Sequence, residues 1–507
     1  MTLSNVKYSL KSILRKILLT HPILLGFFFI IYRYGGNLGD LDIFDLLYVS
    51  AIFIPIFIIF SIIVKLIIKD TTKSLLISSL MIGLFFLYTS IHLTLYKFEI
   101  GGIAIGKHII LFPVISISTL LVIILLTKSK KNYEPFLKIS YFVVLILVAY
   151  NIAEIGFNSN SFSYVPENNL IQPFSINESN YRDVYHLILD EYSGTASLQK
   201  YLNYDNSDFD NSLKQIGFFI PEKSFSNYAD TKKTIPSILN MNYIHDLIEG
   251  PTQSITHREM TKNNLITKIF EDNGYEIITF HNEMMHLQPD NNPSNILCKN
   301  NAGNVHFLSF LILTTPVEIF KNWIDLRNYP ISAENRLCIF DELSTLDKQF
   351  SHPMYVYAHI KLPHEPFIFD SNGNLNPYTY EGLLSEDEIN SLYISQTQYT
   401  NSLVLQLVSE LLSQEPQPII IIQSDHGYRA GYSSNEAIEQ SFSNFVAYYF
   451  PNVELNNETY QTMTTVNTYR ILLNHNFGTN YELLENRMYI TTTQEPKDIT
   501  NILISMD

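Results

Sequence analysis

Acidic and imidazole side chains follow three short apolar segments of this 507-residue sequence. Each such residue alone has an ordinary interpretation, because an Asp after a strand often caps a turn or helix and a single His is often structural. Together, carboxylates and imidazoles are ligands that suit zinc or manganese. The sequence therefore contains a candidate site for a divalent metal ion. Its members are Asp190, His359, His364, Asp425 and His426.

Hydroxyl groups near the start of a predicted helix add a candidate nucleophile. Between Ser226 and Ser237, a polar loop leads into a helix with Pro236 near its first turn, where a missing N–H is tolerated. Anions bind at helix N-termini because backbone N–H groups there have no intrahelical acceptor. A threonine hydroxyl at this place could attack an ester centre, particularly beside a metal ion. The alternative is that Thr231 or Thr234 only caps the helix.

The elements that must position these residues begin after about residue 180, where short β-branched or aromatic segments alternate with helical patterns. Fully apolar strands separated by helices indicate an α/β domain whose mostly parallel sheet is covered on both faces. In such sheets, working residues lie just past the carboxyl ends of the strands. The predicted strands are Val184–Leu189, Glu276–Phe280, Met354–His359, Pro418–Gln423 and Phe445–Phe450. Helices are predicted near 207–216, 232–242, 262–273 and 386–414.

The first third of the chain is apolar. Its five long apolar segments approach or exceed the length that a helix needs to cross about 30 Å of hydrocarbon. Within lipid only a helix satisfies its own backbone donors and acceptors, so these segments are predicted to be transmembrane helices. They lie at roughly 17–34, 46–68, 74–96, 108–127 and 137–156.

The distribution of Lys and Arg predicts the orientation. The N-terminal flank and the connections at 69–73 and 128–138 carry ten Lys and Arg, whereas the alternate connections carry three. Since basic residues favour the cytoplasmic side, the N-terminus is expected in the cytoplasm. Five spans then place everything after about residue 157 outside it. We expect a transmembrane domain at 1–156, a polar linker at 157–180 and an extracytoplasmic domain at 181–507.

Charge and cysteine content exclude several classes of protein. Residues 157–507 contain 19 Lys and Arg against 42 Asp and Glu, without a basic stripe, which argues against nucleic acid as a partner. Cys298 and Cys338 are the only cysteines in the sequence. They exclude a cysteine-based zinc site and a disulfide-rich scaffold, but the sequence does not decide whether they pair.

The order of these motifs resembles the alkaline-phosphatase superfamily. Asp190, the hydroxyl-bearing helix start, the segment Pro363-His364-Glu-Pro-Phe and Ser424-Asp-His-Gly follow one another as they do there. More narrowly, the chain looks like the membrane-anchored, sulfatase-like group that includes lipoteichoic acid synthases and lipid A phosphoethanolamine transferases. The resemblance covers about 184–480, and a five-span anchor is also typical of those transferases.

The resemblance implies a set of site residues. One divalent metal ion, zinc or manganese, would be held by Asp190, Thr231, Asp425 and His426, and His364 would contact the phosphoryl group. The transferases place the nucleophile five residues before a proline, which matches Thr231. Sulfatases and nucleotide pyrophosphatases place it two residues before, which matches the alternative, Thr234.

Two departures narrow the implied activity. The sequence lacks the Cys or Ser and the Arg of the sulfatase motif, so hydrolysis of sulfate esters is doubtful. The further His that the phosphoethanolamine transferases carry after Ser-Asp-His-Gly is also absent; Arg429 lies there instead, and Glu191 is a spare carboxylate.

The predicted function is therefore a transferase of the bacterial cytoplasmic membrane. It moves a phosphoethanolamine-type or phosphoglycerol-type head group from a membrane lipid to a cell-surface glycan or lipid through a phospho-threonine. A sulfatase-like hydrolase of the same superfamily is the first alternative. A membrane-anchored binding protein without catalytic activity is the second.

Overall fold

The computed structural model describes most of the chain. The described residues are 16–38, 41, 43–96, 98–100, 103–160, 164–166, 171–175, 181–248, 254–280, 295–298, 303–320, 329–351, 353–376, 384–429, 435–455, 460–491 and 496–504. By spatial proximity the chain divides into two compact units. The helical unit comprises Met1–Ser161 and Asn301–Arg327, and the sheet unit comprises Phe162–Asn300 and Asn328–Asp507. Composition indicates the boundary near 160 but not the second part of the helical unit.

Five helices form the main part of the helical unit. They are α1 (His21–Gly35), α2 (Ile43–Ile68), α3 (Thr71–Tyr96), α4 (His108–Lys128) and α5 (Glu134–Asn160). Among the described residues, the last four are long and apolar enough to cross a membrane. The first predicted span, 17–34, appears as the 15-residue α1, which is shorter than the roughly 20 residues of a full span.

The outer faces of these helices are apolar, unlike those of a soluble helix bundle. On α4 the only buried residue is Leu111, while Ile109 and Leu125 are 83% and 69% exposed. A helix that is hydrophobic all round is typical of a membrane span. Between α3 and α4 lies a short hairpin of β1 (Glu99–Ile100) and β2 (Ile103–Ala104).

The sheet unit is built on a six-stranded sheet. Its strands are β3 (Val184–Leu189), β5 (Glu276–Phe280), β6 (Ile296–Leu297), β7 (Met354–Ile360), β8 (Ile419–Ser424) and β9 (Val446–Tyr449), and β4 (Lys223–Phe225) lies outside this sheet. The strand order is β6-β5-β7-β3-β8-β9, and only the β8–β9 pair is antiparallel. The prediction of a mostly parallel sheet is confirmed, with strand bounds within one or two residues of those predicted.

Both faces of the sheet are covered, as the fully apolar strands predict. Along β3, Leu187 and Leu189 contribute to one buried cluster, and Val184 and Ile188 contribute to a second one on the opposite face. Burial on both sides explains why these strands read as continuous apolar runs rather than as alternating patterns.

Helices cover the sheet and supply the loops around its carboxyl edge. In chain order they are α6 (Thr195–Leu202), α7 (Ser207–Ile216), α8 (Thr231–Leu239), α9 (Ile244–Leu247), α10 (Ser254–Lys262), α11 (Leu265–Asp272), α13 (Tyr329–Leu343), α14 (Glu386–Leu411), α15 (Asn435–Phe442), α16 (Thr468–Phe477) and α17 (Thr500–Ile504). A further helix, α12 (Gly303–Leu313), belongs to the helical unit. Short strands β10 (Thr462–Thr464), β11 (Tyr489–Thr491) and β12 (Pro496–Asp498) complete the unit. The four predicted helices correspond to α7, α8, α11 and α14.

Cys298 and Cys338 form a disulfide bond with a Cα–Cα distance of 5.9 Å. The bond joins the end of β6 to α13, and the loop it closes contains the part of the chain that enters the helical unit, 301–327. The pairing that the sequence left open is thus present. Disulfides persist mainly in oxidising compartments, which agrees with the predicted extracytoplasmic location of this unit.

Candidate active site

The register of three parallel strands brings the candidate ligands to one edge of the sheet. Leu189 pairs with Ile360 on β7 and with Ser424 on β8, so the residues after β3 and β8 emerge side by side. Asp190 and Asp425, the next residue of each strand, are 1% and 0% exposed. The convergence follows from strand register, because carboxyl ends of parallel strands meet at the same edge.

Asp190, Asp425 and His426 form a compact group of ligand atoms. One ligand atom from each lies within 4.8 Å of the other two. Asp190 Oδ1 and Asp425 Oδ2 are buried without a hydrogen-bond partner among the described residues. Since buried carboxylate oxygens normally pair with a donor or a cation, this donor set fits a divalent metal ion.

His426 is oriented as a ligand. Its Nδ1 lies 2.8 Å from the Gly427 carbonyl oxygen and must donate to it, so that Nε2 carries the lone pair in the neutral ring. Such an outer hydrogen bond fixes the tautomer of a metal-ligating His. A Cβ at Gly427 would lie 2.1 Å from the Gln440 carbonyl oxygen. Glycine is therefore required for the chain to pass here.

The two candidate threonines differ in their surroundings. Thr231 Oγ1 lies 3.2 Å from His426 Nε2. Thr234 Oγ1 lies 2.9 Å and 3.0 Å from the carbonyl oxygens of Tyr228 and Asp230. The N-cap of α8 is Asp230, whose side chain accepts from the Lys233 N–H, so neither threonine is needed as a cap. The structure brings Thr231, rather than Thr234, to the ligand group.

A second cluster lies beside the first. The Glu191 carboxylate accepts from both the backbone N–H of Arg429 (2.8 Å) and its Nε–H (3.2 Å). Arg429 Nη2 lies 3.0 Å from His364 Nε2, and His364 Nδ1 lies 2.6 Å from the Glu365 carbonyl oxygen. Because that carbonyl can only accept, Nδ1 carries a proton and Nε2 accepts from Arg429. His364 is thereby held in one tautomer beside a guanidinium.

Glu191 occupies an unusual backbone conformation. Its φ of 64° lies in the left-handed region, which is costly for a residue with a Cβ. The conformation is supported by a hydrogen bond from the Tyr393 hydroxyl to the Glu191 carbonyl oxygen and by one from the Glu191 N–H to Asp425 Oδ1. Strained residues held in this way are concentrated at functional sites.

The electrostatics of the site keep Asp190 ionised. Burial disfavours its charged form, but the neighbouring His364 and His359 outweigh this effect and hold the pKa of the carboxyl well below its usual range. Asp190 is therefore a carboxylate at neutral pH, which is the form that binds a metal ion.

Two further side chains at this edge are His359, a member of the candidate metal site in the sequence, and Arg429. His359, the penultimate residue of β7, has its Nε2 3.5 Å from Asp190 Oδ2 and is 2% exposed. Arg429 replaces a residue type expected from the resemblance. For His359 the signal in the sequence was a histidine at the end of an apolar strand. The contact of Arg429 with His364 joins residues 65 positions apart, so no local pattern indicates it.

Comparisons with known proteins find similarity at the level of solved structures. No protein-family model and no curated protein matches the chain. The C-terminal periplasmic domain of EcEptC from Escherichia coli, in complex with Zn, is 10% identical with a TM-score of 0.43, and the match covers 65% of this chain and 96% of that one.

Two further solved structures are similar to the chain at the same level. The integral membrane lipooligosaccharide phosphoethanolamine transferase A (EptA) from Neisseria meningitidis is 14% identical with a TM-score of 0.41, over 90% of this chain and 94% of that one. The phosphonate monoester hydrolase of Agrobacterium radiobacter is 10% identical with a TM-score of 0.38, over 61% and 80%. Similarity this distant does not establish a reaction, which has to be inferred from the site itself.

Proposed function

We propose that the chain is a membrane-anchored enzyme that transfers a phospho-head group from a membrane lipid to a cell-surface glycan or lipid through a phospho-threonine at Thr231. The observation that carries the proposal is the distance of 3.2 Å between Thr231 Oγ1 and His426 Nε2, beside the buried carboxylates of Asp190 and Asp425. A hydroxyl next to a metal-ligand group is the arrangement that a nucleophilic threonine requires.

Asp190, Asp425 and His426 are the residues that would hold one divalent ion, with zinc or manganese suited to this donor set. When bound, such an ion acts as a Lewis acid that favours the alkoxide form of a hydroxyl and offsets negative charge on phosphoryl oxygens. The residues themselves supply the placement, because all three are buried and two are fixed by hydrogen bonds to the backbone.

The reaction is a double displacement. Thr231 Oγ bonds to the phosphorus of the donor, the bond from phosphorus to the lipid oxygen breaks, and the proton of Thr231 passes to that departing oxygen. The hydroxyl of the acceptor then attacks the same phosphorus, the bond from phosphorus to Thr231 Oγ breaks, and the proton of the acceptor returns to Thr231 Oγ. Two bonds form and two break, so the energy of the phosphoester linkage is conserved.

Arg429 and His364 are assigned to the phosphoryl group. A guanidinium binds phosphate oxygens with two parallel N–H donors, and the Glu191 carboxylate aims that of Arg429 toward His364. His364 accepts from Arg429 at rest. We assign to it the passage of the Thr231 proton to the leaving lipid oxygen.

The membrane anchor supports a lipid donor. The four long apolar helices confine the chain to a bilayer surface, where the head group of a phospholipid is concentrated. The proposal places the chain in a bacterial cytoplasmic membrane with the sheet unit outside. A solvent-exposed domain tethered in this way can reach both a lipid head group and a surface acceptor.

Trapping the covalent intermediate tests the proposal. Full-length protein in phospholipid vesicles is given head-group-labelled phosphatidylethanolamine or phosphatidylglycerol, quenched and digested, and the peptide spanning 224–243 is analysed by mass spectrometry. We expect a phospho-head-group adduct on Thr231 and none in Thr231→Val. An adduct on Thr234, or on neither threonine, would refute the assignment.

The same vesicles separate transfer from hydrolysis. With an acceptor glycan or lipid present, the label moves to the acceptor if the enzyme is a transferase. Release of free head group at the same rate with and without acceptor would indicate a phosphodiesterase instead. Absence of either product with an intact fold would favour a binding protein.

A further inference from the structure

A second cluster of metal-ligand residues lies in the helical unit. His92 is in the last turns of α3, His108 is the first residue of α4, and Glu318 belongs to a short 3₁₀ helix, Pro316–Phe320. One ligand atom from each lies within 4.8 Å of the other two. His92 and Glu318 are 9% and 8% exposed.

The two imidazole rings are held by their Nδ1 atoms. His92 Nδ1 lies 2.8 Å from the Gly106 carbonyl oxygen and must donate to it, which leaves the lone pair of the neutral ring on Nε2. His108 Nδ1 lies 3.0 Å from the Tyr88 hydroxyl. A hydrogen bond from one ring nitrogen to a carbonyl or similar group is the outer-shell arrangement that orients metal-ligating histidines.

The loop between α3 and α4 is shaped for this contact. A Cβ on Gly106 would lie 2.3 Å from the Tyr96 nitrogen and 2.7 Å from the His92 carbonyl oxygen. Both are backbone atoms of α3, and they cannot shift without disturbing the helix. Only glycine therefore lets the loop approach α3 closely enough for its carbonyl to reach His92 Nδ1.

The carboxylate is positioned from α3 as well. Thr89 Oγ1 donates to Glu318 Oε2 at 3.0 Å, and Thr89 lies one turn before His92. One ligand atom of each imidazole lies within 4.8 Å of a Glu318 carboxylate oxygen, so the three side chains form a donor set that one divalent cation would share.

We propose that His92, His108 and Glu318 hold a zinc ion that is distinct from the catalytic one. Two imidazoles and one carboxylate are an established zinc donor set, with a fourth position for water. The two ring centroids lie 3.9 Å apart, and the Nδ1 contacts of both rings leave their Nε2 atoms for the ion.

The ion would fasten a distant part of the chain to the helical unit. Glu318 is more than 200 residues from His92 and His108, and its segment enters the unit through α12, whose Phe307 and Leu311 pack in the same apolar cluster as Ile30 and Phe53. The role is structural: zinc joins the ends of α3 and α4 to the 3₁₀ helix. By the Lys and Arg distribution, these ends face the side predicted to be extracytoplasmic.

Counting metal ions in the full-length protein tests the proposal. Protein purified in detergent and equilibrated with zinc is expected to hold two ions per chain, measured by plasma mass spectrometry. The His92→Gln/His108→Gln variant should hold one, and so should Asp425→Asn, in which the catalytic site is altered. His475→Gln, at an exposed position outside both clusters, is the control and should hold two.

The outcomes are distinguishable from failure of the proposed function. If Asp425→Asn keeps the wild-type count while the double His variant loses one ion, the helical-unit site stands and the catalytic metal does not. If Asp425→Asn loses all bound metal, the cluster in the helical unit is only a hydrogen-bonded polar group, and the inference is wrong.

A milder pair of variants covers the case in which the double variant does not fold. In the Asp425→Asn background, Tyr88→Phe removes the hydroxyl beside His108 and should weaken zinc binding roughly 10- to 100-fold in competition with a chelator. Tyr96→Phe on the same helix should leave binding unchanged. Equal zinc affinity in the two would overturn the proposal.

Discussion

Thr231 and Thr234 lie one turn apart on α8, yet their hydroxyl groups are held differently. Thr234 is fully buried and hydrogen-bonded to the chain that precedes the helix, while Thr231 faces His426. Because Asp230 serves as the N-cap of α8, Thr231 neither caps the helix nor ties it to the preceding chain as Thr234 does. The same substitution at the two positions therefore separates an effect on folding stability from an effect on head-group transfer.

We expect Thr234→Val to destabilise the sheet unit by about 1 kcal/mol, because a buried hydroxyl donor to the Tyr228 carbonyl is lost while the volume is kept. Head-group transfer should persist. Thr231→Val should do the reverse, with thermal unfolding close to wild type and transfer abolished. Full transfer by Thr231→Val would contradict the proposed nucleophile.

Arg429→Lys should lower kcat/KM roughly 10- to 100-fold, the loss expected when one or two charge-assisted hydrogen bonds disappear. A single ammonium cannot contact Glu191 and His364 at once in the way that the fork of Arg429 does. Metal content should stay at the wild-type value, since Arg429 is not a ligand. Loss of metal in this variant would indicate instead that Arg429 supports the fold of the site.

At the scale of elements, the order β7-β3-β8 is what assembles the site. The strands β7 and β8 are each more than 150 residues from β3 in sequence, yet they lie next to it on its two sides. The same strands also carry a buried polar connection to a helix: His186 on β3 bonds through Nδ1 to the Tyr469 hydroxyl of α16 at 2.6 Å, and Tyr469 in turn contacts the Tyr355 hydroxyl of β7.

This connection predicts acid sensitivity. Burial, with a smaller contribution from His359, lowers the pKa of His186 to about 3. In the unfolded chain the imidazole takes up its proton near its ordinary pKa of about 6.5. Below that pH the unfolded state binds the extra proton, so stability should fall by roughly 1.4 kcal/mol per pH unit as the pH decreases from about 6.5 toward 3.

Thermal unfolding of the full-length protein in detergent between about pH 7 and pH 5 measures this effect. His186→Gln should remove about one proton's worth of the slope. His475→Gln, at an exposed position, should change the slope far less. An unchanged slope in His186→Gln would show that other groups cause the acid sensitivity.

At the scale of the whole molecule, two separate segments of the chain form the helical unit. The first segment ends after α5, and the second, 301–327, lies in sequence between Cys298 and Cys338, which are bonded to each other. The disulfide thus closes the loop from which this segment extends. Closing a loop of this length reduces the entropy of the unfolded chain by an amount worth about 3–4 kcal/mol.

The predicted orientation can be measured directly. A phosphatase reporter that is active only outside the cytoplasm should be active when fused after Asn160 and inactive when fused after Ser129, between α4 and α5. The physical reason is the excess of Lys and Arg in the connections predicted to be cytoplasmic. Activity of the fusion after Ser129 would show that the orientation is the opposite of the predicted one, with the sheet unit in the cytoplasm.

Local sequence predicted the long helices, the main strands and the candidate site residues. Apolar runs of different length separated long helices from buried strands, because a bilayer and a two-sided sheet each demand uninterrupted apolar residues. The strand-end positions of Asp190 and Asp425 follow from the same pattern.

Tertiary structure decided what depends on contacts between distant residues. Strand order and register placed Asp190, Asp425 and His426 together, and the packing of α8 brought Thr231 rather than Thr234 to His426. The pairing of the cysteines, the contact of Arg429 with His364 and the return of Glu318 to His92 were likewise not readable from the sequence. Spacing along the chain reports local periodicity, whereas these contacts depend on which surfaces become neighbours when the apolar faces are buried.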